Sequence, residues 1–229
     1  MYITCKRLLW YTWLVGSAIV TFNSCQPDTA PLPYYGFHAI DAVTGDTLYH
    51  RIRDFEFIDQ DSQLVTNAYF DGKIYVADFF FTSCPTICPV VKAQMMRIYE
   101  KYEADDRLLL LSHSIDVRRD TVSKLKQYAI GLGADSPRWR FVTGNRDSIY
   151  AITYDYISTA LDNPDAPGGF DHSGWILLID ENRHIRAYAD GTKPEKVDIF
   201  LKQIDKLLQE MENKKTDLRE KSVTDGARR

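Results

Sequence analysis

Cysteine is scarce in this 229-residue chain, with four residues, and positive charge is not in excess: 28 Lys and Arg stand against 32 Asp and Glu, for a formal charge of −4. Phosphate binding needs a basic face, so this balance argues against a nucleic-acid partner. There is no internal repeat, glycine-rich phosphate loop, nucleotide fingerprint or paired-carboxylate motif. The bulk of the chain also lacks the composition of disordered or collagenous sequence. What it has is 45% hydrophobic and 13% aromatic residues, ample for one packed domain and short for two.

The first residues, MYITCKRLLWYTWLVGSAIVTFNSC, place Lys6 and Arg7 before an uncharged run from Leu8 to Ser24, then Cys25. A basic start, an apolar stretch and small residues before a cysteine describe an export signal over residues 1–24. The ending FNSC loosely fits a bacterial lipobox, with Phe22 and Asn23 in place of the usual Leu and small residue; on that reading Cys25 carries lipid and becomes the mature N-terminus. The alternative is an uncleaved anchor helix, for which 17 uncharged residues are few. Either way the domain lies outside the cytoplasm on a membrane, and the lipoprotein form faces the periplasm. Residues 25–50 then serve as lipidated N-terminus and tether, beginning QPDTAPLP. With Cys5 in the signal and Cys25 lipidated, only Cys84 and Cys88 remain in the folded domain. They face an oxidising compartment, where a close pair tends to become a disulfide.

Hydrophobic periodicity predicts an α/β domain over residues 51–213. The stretch TLYHRIRDFEFIDQDSQLVTN reads as short strands joined by turns, and KIYVADFFF (73–81) as a central strand buried on both faces. Val91, Met95, Ile98 and Tyr102 recur at helical spacing, and RLLLLSHSI (107–115) is a second buried strand. A helix follows from Thr121 to Gly131, then a strand RWRFVTG (138–144), then a helix capped by Asn145. DNPDAPGG (162–169) reads as a loop, and GWILLIDENRHIRAYADG as two strands turning at Glu181-Asn182. Val197, Phe200, Leu201, Ile204, Leu208 and Met211 give a terminal helix one apolar face, and the charged residues 214–229 read as a disordered tail. This order predicts a thioredoxin-like fold, a mixed central sheet flanked by helices with added N-terminal strands. The cysteines then sit at the C-terminal end of the first core strand, where open α/β sheets place their sites.

Cys84 and Cys88, within FFFTSCPTICPVV, stand at a helix start, with Pro85 suited to its first turn. The helix dipole there favours thiolate, which serves disulfide exchange and metal binding equally. Redox pairs of the thioredoxin type usually have two intervening residues; the three here widen the bite and favour convergence on an ion. Two soft thiolates select copper(I), zinc or iron–sulfur clusters. A cluster or a structural zinc site normally wants four protein ligands, whereas two cysteines and one histidine suit copper in either oxidation state. His113 reads as a core histidine, His184 as a solvated turn residue, and His38 and His50 lie in no motif. His172 differs, because it immediately precedes the strand GWILLID. In a thioredoxin-like sheet the loop before that strand lies beside the cysteine-bearing helix start, where redoxins commonly carry a cis-proline. Three readings of the pair stay open: a metal site, a redox couple and a structural disulfide.

FFFTSCPTICPVV, SIDVRRDT (114–121), FVTG (141–144) and DHSGWILLID (171–180) together resemble the Sco/SenC family of copper-binding, thioredoxin-like proteins involved in cytochrome c oxidase assembly. The resemblance covers about Phe55 to Gln209. It implies that Cys84, Cys88 and His172 bind copper, and that the partner is a copper-binding oxidase subunit or another copper or thiol protein. Asp116 matches the aspartate of the family's SID segment, which implies support of the site or of a partner surface; a plain turn cap is the alternative. Asp171 is a candidate to orient the imidazole by a hydrogen bond, although adjacent residues on a strand often point apart. Val117 stands where the family usually has proline, a change in turn geometry outside the ligand set. The implied function is a membrane-tethered copper chaperone; a thiol-disulfide oxidoreductase using the same cysteine pair is the alternative.

Overall fold

The computed structural model describes residues 30–134 and 138–226. The export signal, Cys5 and Cys25 lie outside the described residues. Two short strands, β1 (Ala39–Ile40) and β2 (Thr47–Leu48), form a hairpin; β3 (Glu56–Asp59), β4 (Leu64–Thr66) and β5 (Ile74–Phe80) follow. Then come α1 (Cys88–Lys101), β6 (Leu108–Ser114), α2 (Val122–Leu132), β7 (Trp139–Thr143) and α3 (Arg146–Asp155). The remaining elements are β8 (Ala160–Asp162), β9 (Phe170–His172), β10 (Trp175–Ile179), β11 (Ile185–Asp190) and α4 (Pro194–Gly226).

A seven-stranded sheet runs in the order β11-β10-β5-β6-β7-β3-β4. β5, β6 and β7 are parallel, and the outer strands pair antiparallel. Every residue of β5 and β6 is buried, in keeping with their mostly apolar sequence, in which Asp78, Ser112, His113 and Ser114 are the polar members. Alternation along β5 sends Asp78 and Phe80 toward α1, where both meet Lys92, and Tyr75 and Phe79 toward Tyr156 at the end of α3. Thr121 caps α2 by accepting from the Lys124 backbone, and Asn145 caps α3 by accepting from Ser148 at 3.1 Å. The mixed thioredoxin-like architecture is the one the sequence predicts.

Four local expectations are corrected. The helix after the cysteines begins at Cys88 with Pro89 in its first turn, so Pro85 lies in the preceding turn. The segment read as tether is attached from Pro31 onward: Leu32 is buried, its N–H donates to Glu210 and its carbonyl accepts from Arg186 at 2.6 Å. His184 is half-buried rather than solvated, with Nδ1 2.7 Å from the His50 carbonyl oxygen. The charged residues after 213 continue α4 to Gly226 instead of forming a disordered tail. Extending an existing helix needs no new nucleus, and Lys, Glu and Arg are good helix formers. Lys214 also ties this stretch to Glu181 at 2.5 Å. Among the described residues no helix is long and apolar enough to cross a membrane.

Candidate metal centre

β5 ends at Phe80, and the chain turns over Thr82 and Ser83 to bring Cys84 beneath the strand end. That turn is braced from the connection between β6 and α2. Buried Asp120 accepts from the Thr82 N–H at 2.9 Å, from the Thr82 hydroxyl at 2.5 Å and from the Ser114 hydroxyl at 2.7 Å. Cys88 opens α1 on the same side. His172 closes a two-stranded unit: β8 and β9 pair antiparallel with Ala160 opposite His172, so the residues read as a plain loop join the strands of a hairpin. That hairpin carries the imidazole to the cysteines.

The His172 Nε2 atom lies 3.2 Å from Cys88 Sγ and 3.9 Å from Cys84 Sγ. All three candidate donor atoms fall within 4.8 Å of one another. With metal–sulfur bonds of about 2.3 Å and metal–nitrogen bonds of about 2.0 Å, donors at the corners of a triangle stand about 3.7–4.0 Å apart. The three groups therefore need shifts of about an ångström or less to enclose one ion. Both cysteines are buried and His172 is half-buried between the Phe81 ring, at 5.2 Å, and the approach from solvent.

The electrostatics of the two thiols differ. Burial pushes the Cys84 thiol up, but hydrogen bonds from the Cys88 and Thr86 backbones and the Thr86 hydroxyl outweigh it and leave Cys84 below the ordinary thiol range. At Cys88 burial dominates, and the negative charge of Cys84 adds to it, so its thiol lies well above that range despite the Phe81 backbone and the Lys92 charge. Burial also lowers the His172 pKa, against the pull of the Asp78 charge and a hydrogen bond to the Phe170 backbone. A neutral imidazole offering Nε2 is the form that ligates metal.

Of the residues singled out from sequence, Cys84, Cys88 and His172 converge. Asp116 is buried in the turn after β6 and pairs with Arg119. Asp171 does not orient the imidazole: it is exposed and accepts from Asn163 Nδ2 at 2.6 Å, because neighbours on a strand point to opposite faces. Cys25 lies outside the described residues. Sequence reasoning missed Asp120, Arg119 and the Asp78–Lys92 pair. The SIDVRRD stretch holds a signal for two of them, since Asp116, Arg119 and Asp120 share one turn.

The sequence pattern that defines SCO1/SenC proteins matches residues 45–209. The chain belongs to the SCO1/SenC family. Among its relatives, a SCO2-like protein of Rickettsia felis is 32% identical over 157 residues, which span 65% of this chain and 74% of that one. A SCO1/SenC family lipoprotein from Bacillus anthracis superposes with a TM-score of 0.63 at 24% identity, covering 69% of this chain and 95% of that one. Arabidopsis thaliana ScoI, solved with copper bound, superposes with a TM-score of 0.57 at 23% identity, covering 67% and 97%. These superpositions show the family's thioredoxin-like fold. The β1 strand and the last turns of α4 lie outside the family match, as additions at the two ends.

Proposed function

We propose that this protein is a membrane-tethered copper chaperone that holds copper through Cys84, Cys88 and His172 and passes it to the copper centre of a respiratory oxidase. The convergence of His172 Nε2 on both sulfurs carries the reading. Two thiolates and one imidazole are a soft, low-coordinate donor set that suits copper in either oxidation state, and the copper-bound relative is in keeping with it. The two sulfurs are buried and His172 is half-buried, so a partner's ligands would approach from the imidazole side and copper would leave by stepwise ligand exchange. Lipid at Cys25 would hold the domain at the membrane surface facing the periplasm, where such a partner resides.

A second reading, thiol-disulfide exchange with a partner's cysteines, is favoured by the unequal thiols. The more acidic Cys84 supplies the attacking thiolate and Cys88 resolves the mixed disulfide. The two readings meet in one switch: oxidising the pair to a disulfide removes both sulfur donors and prevents copper loading. Copper titration of the reduced protein separates them. His172→Ala is expected to weaken copper binding greatly while the disulfide still forms, and the Cys84→Ser/Cys88→Ser variant to lose both. Copper retained by the double variant would overturn the site assignment. Unchanged affinity in His172→Ala would leave the redox couple as the function.

A further inference from the structure

The hairpin that carries His172 is fastened at its tip by a side chain outside the ligand set. Arg119 lies between β6 and α2, three residues after Asp116. Its Nε donates to the Asp116 carboxylate, and its Nη2 donates to the Gly168 carbonyl oxygen at 2.8 Å, just ahead of β9. The guanidinium also lies 5.6 Å from the centroid of the Phe170 ring, on the same strand as His172. Asp116 is itself fixed: its side chain is 0% exposed, and its own carbonyl accepts from the Asp120 N–H at 2.9 Å. Beside this polar fastening is an apolar one. Gly168 has a φ of +82°, and a Cβ there would stand 2.6 Å from Phe81 Cε2, so the hairpin tip rests on the ring that also flanks His172. The base of the hairpin is held separately, by Ser158 to Ser173 at 2.8 Å, while Tyr150 and Arg146 bond Asp162 where β8 enters the tip.

We propose that Arg119, braced by Asp116, is a positioning residue for His172: it latches the β8–β9 hairpin so that the imidazole faces the two sulfurs. The proposal rests on the copper reading above. A guanidinium offers donors in a rigid planar fork, so one side chain can satisfy a buried carboxylate on one segment and a carbonyl on another. A lysine would answer the Asp116 charge but could not span both acceptors in a fixed geometry. Without the latch the β9 side of the tip keeps its apolar contact and the β8 side its bonds to Asp162, and His172 spends time away from Cys84 and Cys88. Copper then rests on two sulfurs and binds less tightly. Because Arg119 is half exposed, the latch lies where a partner can reach it.

The test compares the reduced wild-type protein with Arg119→Ala and Arg119→Lys. In copper-free protein, amide hydrogen exchange over 160–172 is expected to accelerate in Arg119→Ala, with exchange in α1 and the unfolding midpoint unchanged. On loading, copper affinity is expected to fall about tenfold or more, as for other residues that orient a metal ligand. The nitrogen hyperfine coupling from the imidazole in the copper(II) electron paramagnetic resonance spectrum weakens in parallel, and Arg119→Lys falls between the two. Unchanged hairpin exchange and nitrogen coupling in Arg119→Ala would overturn the latch. So would uniform acceleration of exchange with a lowered midpoint, which would make Arg119 a plain stability contact. If His172→Ala left copper affinity intact, the copper reading would fall, and the exchange comparison in copper-free protein would still decide the latch.

Discussion

Cys84 and Cys88 are four residues apart, yet one lies in a turn with N–H groups aimed at its sulfur and the other is sealed under the first turn of α1. The difference has a chemical consequence, because the thiolate is the nucleophile. Brief alkylation of the reduced protein is expected to mark Cys84 ahead of Cys88, with peptide mass spectrometry reading the ratio; equal labelling would remove the asymmetry. One turn further along α1, Lys92 is buried with Asp78, its Nζ 2.7 Å and 2.9 Å from the two carboxylate oxygens and 2.7 Å from Ser112 Oγ. Trp139 Nε1 donates to the same Ser112 oxygen at 2.9 Å, closing the network. Removing one partner of such a pair strands a charge in the core. Lys92→Met is expected to cost about 3–5 kcal/mol in denaturant unfolding, and adding Asp78→Leu should recover much of the loss. The ligand residues were legible in the sequence because cysteine and histidine are few. Lys92 and Asp78 were not, because charged residues are common and only the packing of α1 on the sheet shows which ones meet; Arg119 and Asp120 were signalled only by the turn they share with Asp116.

At the scale of the element, the β8–β9 hairpin and the extended α4 depart most from what the sequence predicts. DNPDAPGG has every mark of a loop, and its strands are three residues each, too short for a periodic signal. What makes it an ordered hairpin is tertiary: Phe170 packs 5.1 Å from the Phe81 ring, and Gly168 lets the backbone close over that ring. Gly168→Ala would combine a left-handed backbone with a clash at 2.6 Å. We expect weaker copper binding with little change in the unfolding midpoint, since the hairpin lies outside the seven-stranded sheet; unaltered affinity would show that the tip does not govern His172. The end of α4 makes the opposite case. Past Lys214 it is rich in charge and has no apolar stripe, the features that made it read as a disordered tail. Local propensity and continuity with a packed helix carry it. Ending the chain after Lys214 should lower the far-ultraviolet helical signal while shifting stability by about 0.5 kcal/mol or less, as for other surface changes.

Across the whole molecule, the central strands and the helices that flank them were readable because β5 and β6 are largely apolar and the helices have one-sided apolar spacing. The strand order and the fate of buried polar groups within it were not. His113 is an instance. It lies in β6 directly opposite Phe79, fully buried, with its ring stacked 4.7 Å from Phe79 and edge-on to Phe57 at 5.7 Å. Its Nδ1 lies 3.4 Å from the Asp78 carbonyl oxygen and its Nε2 makes no hydrogen bond. Burial first, helped by the positive charge of Lys92 and opposed by the Asp78 backbone, lowers its pKa from 6.5 to about 3. The folded protein thus keeps His113 neutral in a range where the unfolded chain protonates it. Stability rises with pH wherever the unfolded state binds more protons, so the contribution is whole above about pH 6.5 and is lost as pH falls toward the folded value. At about pH 5 the loss comes to about 2 kcal/mol relative to neutral pH. The group responsible is identified by replacing it. In His113→Phe, which keeps an aromatic ring in the cage of Phe57, Phe79 and Tyr156, the dependence of unfolding free energy on pH over this range should flatten by that amount. An acid slope equal to wild type would mean that His113 is not what destabilises the core in mild acid.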